Sequence, residues 1–268
     1  MLYQNVSEIV LRNQEYVPII KDHITYYGGN QMWFQSSNKT STDYILHHYG
    51  SGTIAIADLF LYLGIKSNIY KNQVTESALQ GKTLVSYIDY MSYIRTINSL
   101  YIKSKPYIDM LGRRIARAFN SYSRRYQLGL KAKWELRLSY YEMLELIEEM
   151  LYYDVPIILS IGPNTPNLWG KKGITFYHGH ILDESLATTN YNLYILPTQY
   201  KFRPARNNIK SHYVTVTGIH RMEDTNSKGI IMLQISSWGK VYYINYEEYR
   251  DYVDCYGGTF TSSILYIK

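Results

Sequence analysis

The chain has 268 residues, of which 46% are hydrophobic and 19% are charged, so its composition is that of a globular protein and excludes a disordered one. Its 28 basic and 22 acidic residues leave a net charge of +6, a modest surplus that favours acidic partners without requiring nucleic acid. The single cysteine, Cys255, excludes an internal disulfide and four-cysteine zinc sites, and it favours a reducing compartment.

No export or membrane segment is predicted. Residues 1–8 lack the basic region and sustained apolar stretch of a signal peptide. The longest apolar run, 53–65, contains Asp58 and is shorter than the roughly 20 residues that a membrane helix needs. We therefore expect a cytoplasmic protein with no membrane partner.

The first notable segment in chain order is Gly28-Gly29-Asn30-Gln31-Met32-Trp33-Phe34, a glycine-led loop with an amide and two aromatic rings. Such a loop can present the Gln31 amide as a donor to an oxyanion. It can equally be an ordinary turn whose rings pack in the core. Both interpretations remain open from the sequence alone.

A buried helix is predicted over residues 53–63, where nearly every side chain is apolar and Gly64 is placed as its C-terminal stop. The turn Gly50-Ser51-Gly52 lies at its N-terminus. The first N–H groups of a helix lack intrahelical partners and carry the positive end of the helix dipole, which stabilises an oxyanion. Ser51 is therefore the candidate nucleophile.

A basic segment follows between residues 113 and 133, with no acidic residue in it. Its members are Arg113, Arg114, Arg117, Arg124, Arg125, Lys131 and Lys133. The pattern is typical of a solvated helix face, and it also fits a docking patch for an acidic partner. Because no RNA-binding signature or zinc-finger spacing accompanies it, nucleic acid is not predicted as a partner.

The second half begins with a helix and continues as strands. Ser139 and Glu142 form a predicted capping box, and the helix that they start should end before Asp154. Beyond it the hydrophobic pattern has a period of about two, which indicates strands. The predicted strands are 155–161, 191–196 and 212–218.

The polar stretch 223–229 predicts a hairpin that pairs 212–221 with 230–236. This hairpin brings His212 near Ser236-Ser237-Trp238-Gly239. A nucleophile, a histidine that accepts its proton and a polar residue that orients the imidazole form a catalytic triad. The sequence thus predicts a triad of Ser51, His212 and Ser236.

These segments resemble the papain-like cysteine peptidases, particularly the bacterial branch that includes double-glycine leader peptidases. The family's Cys-Gly-Pro-Thr-Ala-x-Ala-Asn-x-x-x-Tyr-Leu region aligns without a gap to residues 51–63, with Ser51 in the cysteine position. Its His-x-Val-x-Val-x-Gly strand is matched by residues 212–218, and its Asn-Ser-Trp-Gly segment by 236–239. By this resemblance, Trp238 shields the hydrogen bond that orients the histidine.

The resemblance implies an α+β, papain-like fold in one domain, residues 1–268. Its two expected parts are a helical lobe over 1–138 and a sheet-rich, antiparallel lobe over 139–268, with the active-site cleft between them. It also implies acyl transfer through an acyl-enzyme, with hydrolysis of a peptide or amide.

Three positions depart from the family pattern. Serine replaces the nucleophilic cysteine at 51 and the orienting asparagine or aspartate at 236, and Ile45 stands where the oxyanion glutamine is expected. Gln31 is the candidate that replaces that glutamine. A serine beside histidine lacks the ion pair that makes cysteine nucleophilic, so low activity is expected. Ser51 can be an engineered replacement of cysteine, a natural loss or a working nucleophile.

Two alternatives to the hydrolase remain. One is an amide-forming acyltransferase that takes an acyl chain from an acidic carrier protein docked at the Arg113 to Lys133 patch. The other is a binding module that has lost catalysis. No cofactor or metal is predicted, because His178 and His180, with Asp183, lie in a loop without a further carboxylate cluster. Cys255 is interpreted as a small semi-buried hydrophobe.

Overall fold

The computed structural model describes residues 2–105, 112–162, 173–182, 187–189, 192–194, 199–224, 228–256 and 263–268. Its helices are α1 Thr42–Tyr49, α2 Ser51–Lys66, α3 Gln73–Leu79, α4 Tyr87–Ile97, α5 Gly112–Arg125, α6 Tyr140–Tyr152 and α7 Tyr246–Tyr256. Two short 3₁₀ helices, Gln31–Trp33 and Asn68–Tyr70, and a π-helical turn, Asn98–Ile102, complete the helical structure described.

The structure describes fourteen strands, β1 to β14 in chain order. The earlier ones are β1 Leu2–Val10, β2 Pro18–Lys21, β3 Ile24–Tyr27, β4 Val85–Ser86, β5 Ala132–Leu136, β6 Ile157–Ile161 and β7 Ile174–Leu182. The later ones are β8 Ala187–Thr189, β9 Asn192–Tyr194, β10 Gln199–Ile209, β11 His212–Asp224, β12 Gly229–Ser237, β13 Lys240–Asn245 and β14 Ser263–Ile267.

The molecule is a mixed α+β structure built on a large antiparallel sheet. Within the described residues the order of that sheet is β1-β10-β7-β13-β12-β11-β6-β14-β5. Strand β1 also pairs with β11, and this second pairing joins β1, β10, β7, β13, β12 and β11 into a closed ring. The ring is a small β-barrel with a lumen of its own.

Helix α2 is the central helix because it is apolar on nearly all sides, and residues 52–64 are buried along it. It contacts strand β11 on one side and helices α4 and α5 on the other. The core is continuous from α2 to the sheet, so the N-terminus of α2 is held rigidly against the start of β11.

Local signals in the sequence predict several of these elements well. The capping box of α6 is present, with Ser139 and Glu142 each accepting from the other's backbone N–H, and the helix ends at Tyr152. The predicted hairpin is also present as β11 and β12, which pair antiparallel from Thr215↔Ser236 to Glu223↔Gly229. Of the predicted strand 191–196, residues 192–194 form β9, and the rest lies outside the described residues.

Two expectations require correction. The first lobe is not helical throughout, because residues 2–27 contain β1, β2 and β3, and β1 belongs to the large sheet. Gly64 does not end its helix either, since α2 continues to Lys66 and is capped by Ser67. In the part of the chain that the structure describes, no helix is both long enough and apolar enough to cross a membrane.

Candidate active site

The site begins at the N-terminus of α2, where Ser51 is the first helical residue and Gly50 precedes it. The Ser51 side chain is only partly buried, and its Oγ accepts a hydrogen bond of 3.3 Å from the backbone N–H of Tyr213 on β11. Ile54, Ala55 and Asp58 follow at helical spacing on the same face and line the same cavity as Ser51. The hydroxyl therefore lies where helix and sheet meet.

Gln31 reaches this cavity from the loop after β3. Its 3₁₀ turn is capped by the side chain of Asn30, which accepts from the N–H of Met32. The Gln31 amide donates from Nε2 to the backbone oxygen of His47 at 3.0 Å. Because a primary amide carries two N–H groups, this bond fixes the side chain and leaves one donor for a ligand.

The carboxylate of Asp58 holds the Gln31 loop against α2. It accepts 2.8 Å from the N–H of Gly29 and 2.6 Å from the hydroxyl of Tyr90. Position 29 requires glycine, because a Cβ there would lie 1.7 Å from the Tyr90 hydroxyl oxygen. Asp58 is only 2% exposed, and burial raises its pKa to about 7.

His212 lies at the start of β11, buried to 8% exposure. Its Nε2 shares a 2.8 Å hydrogen bond with Oγ of Ser237. Ser236, the residue predicted to orient the imidazole, instead donates 2.8 Å to the backbone oxygen of Tyr27. The expectation for Ser236 is therefore corrected: the serine that contacts His212 is its neighbour Ser237.

The physical reason lies in strand geometry, since successive residues of a strand point to opposite faces. Ser236 pairs with Thr215 and faces the Gly28 loop, where a Cβ on Gly28 would lie 2.5 Å from its Oγ. Ser237 points to the other face, on which the His212 ring lies. One residue of register thus decides which hydroxyl reaches the imidazole.

Trp238 covers the imidazole from a strained turn. Trp238 and Gly239 connect β12 to β13 with φ of 49° and 74°, the two positive values of a type I′ hairpin turn. A positive φ is rare for a bulky residue and is found where a site constrains the backbone. The indole stacks on His212 with ring centroids 4.4 Å apart and an interplanar angle of 14°.

The stacking keeps water from one face of the His212 ring and sets its charge state. Arg206 places its guanidinium carbon 4.3 Å from the centre of the same indole. Burial, with a smaller contribution from the charge of Arg206, lowers the pKa of His212 to about 3. The imidazole is therefore neutral at physiological pH, and it accepts a proton only when a negative charge forms beside it.

The predicted residues converge on one small cavity. Ser51, Gln31, His212 and Ser236 all line it, together with Ser237. Its volume is about 20 Å³, which is room for roughly one water molecule. Among the described residues no hydrogen bond joins Ser51 Oγ to the His212 ring, a loose arrangement that is common before substrate binds.

Other candidate residues lie elsewhere. His178 and His180 lie on strand β7, not in the loop expected from the sequence. His178 stacks on Tyr242 with ring centroids 5.1 Å apart, and Asp183 lies outside the described residues. Within the described part of the chain, His, Cys, Asp and Glu side chains form no group of three or more that suits a metal ion. Cys255 belongs to α7, and its side chain lies outside the described residues.

Sequence reasoning missed three participants, Ser237, Asp58 and Arg206. A signal existed for Asp58, because it is the lone acid in an otherwise apolar helix and follows Ser51 by two helical turns. Ser237 stands beside the predicted serine, so only the strand register separates them. For Arg206 the sequence offers no signal, because it comes from β10, remote in sequence from Trp238.

Comparisons of the chain with protein-family models, curated proteins and solved structures found no match.

Proposed function

We propose that this chain has the site of a papain-like thiol hydrolase, with Ser51 in the position of the nucleophile, and that the site forms an acyl-enzyme with a peptide or amide. The observation that supports this most directly is the joint placement of Ser51, Gln31, His212 and Ser237 around one cavity. The α+β organisation, with a helix N-terminus held against an antiparallel sheet, is the arrangement that a papain-like fold requires.

In the proposed reaction, Ser51 Oγ attacks the substrate carbonyl carbon and its proton passes to His212. Nδ1 of His212 must be free of hydrogen to accept that proton. The neutral ring therefore carries its hydrogen on Nε2, which donates a hydrogen bond to Oγ of Ser237. The oxyanion that forms is held by the backbone N–H at the start of α2 and by the second N–H of Gln31. The leaving amine then takes the proton from His212, and water releases the acid.

The low acidity of an alcohol, compared with a thiol, explains why serine is expected to be a weak nucleophile here. An alcohol and a neutral imidazole form no ion pair, so only a small fraction of the hydroxyl is activated. A thiol at the same position would be acidified by the helix N-terminus, and the negative charge of its thiolate would raise the pKa of His212 and so favour proton transfer to the ring. The geometry around position 51 therefore suits a thiol nucleophile better than the hydroxyl of Ser51, as the resemblance implies.

The test is alkylation of Ser51→Cys. We expect iodoacetamide to label the new thiol at least tenfold faster than Cys255 at pH 7, because a helix N-terminus and a histidine lower the pKa of a thiol. Mass spectrometry of the two peptides measures both rates in one sample.

The matched control is the double variant Ser51→Cys, His212→Ala, which keeps the thiol and removes the base. Its labelling should fall well below that of the single variant, because only the helix N-terminus remains to lower the pKa of the thiol. Labelling of position 51 that is no faster than that of Cys255, or that does not depend on His212, would contradict both the site and the hydrolase. It would leave the binding module as the better interpretation.

The surface around α5 favours a second candidate, an amide-forming acyltransferase. Arg113, Arg117, Arg124, Arg125, Lys131 and Lys133 are exposed, and among the described residues none of them forms an ion pair. A depression of about 500 Å³ lies within this surface, lined by Arg117, Asn120, Arg124, Leu130 and Lys131. An acidic carrier protein fits such a surface.

The two candidates share the acyl-enzyme and differ in the acceptor. Ser51→Cys supplied with an acyl thioester on an acidic carrier protein, together with an amine, separates them. An amide product indicates acyl transfer, whereas free acid alone indicates hydrolysis.

A further inference from the structure

The barrel encloses a second cavity that shares no lining residue with the candidate active site. One end of the lumen is filled by Met222, Met232, Tyr200 and Tyr243 with their neighbours. The other end is open and has a volume of about 650 Å³, within the range of small-molecule sites. Every strand of the closed ring contributes a side chain to its wall.

A chain of polar groups runs through this wall. Nδ1 of His220 lies 3.0 Å from Oε2 of Glu8, and its Nε2 lies 3.1 Å from Oε1 of Gln234. Gln234 in turn donates 3.1 Å to the hydroxyl of Tyr27. His220 is only 2% exposed, so a buried polar network faces a cavity large enough for a ligand.

Glu8 gives this cavity its charge preference. Its side chain is 42% exposed, and Oε2 receives both the His220 contact and a 2.8 Å hydrogen bond from Asn5. Within the described residues Oε1 has no hydrogen-bond donor. Hydrogen bonding to His220 holds the pKa of Glu8 below its ordinary value, so the carboxylate is ionised at neutral pH.

Apart from Gln14 and Thr217, the rest of the wall is apolar or aromatic. The ring centroids of Tyr200 and Tyr243 lie 6.5 Å apart, and Ile181 and Val241 add aliphatic surface. The described lining includes no lysine or arginine. A carboxylate beside aromatic rings attracts a cation, both by charge and through the ring faces. A lysine or arginine on the lining, which an anionic ligand would need, is missing among these residues.

We propose that the barrel lumen binds a small organic amine, with its ammonium group at Oε1 of Glu8 and its apolar or aromatic body against Tyr200, Tyr243 and Ile181. This site is independent of the proposed function. Its ligand is an amine, whereas the ligand proposed for the cleft is a peptide or amide.

Three probes with one aromatic body test the proposal: 2-phenylethylamine, 2-phenylethanol and 3-phenylpropionate. Isothermal titration to the full chain should show the amine binding about tenfold more tightly than the alcohol or the acid, since a charge-assisted hydrogen bond contributes that much. Glu8→Gln should remove the preference for the amine, whereas Glu145→Gln, a charge-matched change at an exposed position of α6, should keep it.

A second variant, Ile181→Trp, checks the location. Ile181 is 61% exposed at the open end of the lumen, so an indole there should be tolerated and should obstruct entry. Ile181→Trp should weaken binding of 2-phenylethylamine at least tenfold. Equal affinity for the three probes, no binding by any of them, or a preference for the amine that persists in Glu8→Gln would each overturn the proposal.

Discussion

Two adjacent serines on β12 take different partners, and the difference decides how His212 is held. Ser237 bonds the imidazole, while Ser236 bonds the backbone of Tyr27 and so fastens the loop that leads to Gln31. A residue that acts through His212 is a positioning residue, and its removal should change the reactivity at position 51 without removing the nucleophile.

Ser237→Ala and Ser236→Ala therefore form a matched pair in the Ser51→Cys background. We expect Ser237→Ala to slow iodoacetamide labelling by about tenfold, since one hydrogen bond to the imidazole is lost, and to shift the pH profile of labelling. Ser236→Ala should stay within about twofold of the parent because His212 keeps its partner. A larger effect from Ser236→Ala would restore Ser236 as the orienting residue.

The sequence predicts which residues come together at the candidate site, but it does not predict which of them form hydrogen bonds with each other. The order of Ser51, His212 and the Ser-Trp-Gly segment is enough to bring them together, because the hairpin and the helix start are readable from local patterns. The choice between Ser236 and Ser237 depends on a register shift in β11 between Val216 and Gly218, which no local pattern reveals.

Helix α2 illustrates a limit of predicting elements from single residues. Gly64 is a common kind of helix stop, but here it is an interior residue packed near Leu79 and Thr75 of α3. The two helices approach closely at Gly64, which favours a small residue. The helix continues beyond Gly64 because packing on all of its sides stabilises it more than the glycine destabilises it.

Gly64→Ala should stabilise the protein. A Cβ at this position would lie 3.4 Å from Leu79 and 3.6 Å from Thr75, which is ordinary contact, and alanine raises helix propensity by up to about 1 kcal/mol. Denaturant unfolding should show a gain of about 0.5–1 kcal/mol. A loss of stability would mean that the space between α2 and α3 does not admit the added methyl group.

Strand β1 was not predicted, for a different reason. Asn5 and Glu8 line the lumen, so polar side chains occupy the inner face that usually carries the hydrophobic half of a strand pattern. A register shift between Asn5 and Ser7 interrupts the alternation further. The strand exists because β10 and β11 accept it on both edges, which is tertiary information.

At the scale of the whole molecule, folding shifts the pKa values of Asp58 and His212 in opposite directions, so the two residues make stability depend on pH in opposite ways. The pKa of Asp58 rises from 3.8 to about 7 on folding, so its contribution to stability is full below pH 3.8 and is lost as the pH rises through 7. The pKa of His212 falls from 6.5 to about 3, so the folded state is penalised as the pH falls from 6.5 towards 3. Between about pH 4 and 6.5 the two effects oppose each other.

Single variants should separate them. In Asp58→Asn only the contribution of His212 remains, so the free energy of unfolding should rise with pH from about 4 to 6.5. The slope corresponds to at most one proton, on the order of 1 kcal/mol per pH unit. His212→Gln should leave the Asp58 effect, so that stability falls over the same interval. Urea unfolding at several pH values measures both slopes. Identical pH dependence in the two variants would show that neither group is perturbed as described.

The ring of strands has a consequence for how the polypeptide is made. Leu2–Val10 is synthesised before its partners on β10 and β11, which begin nearly two hundred residues later. Such distant pairing delays closure of the ring until β10 and β11 have been synthesised, and non-local contacts of this kind slow folding. Until then the nascent chain carries an unpaired strand edge, which is prone to aggregate and is a target for chaperones.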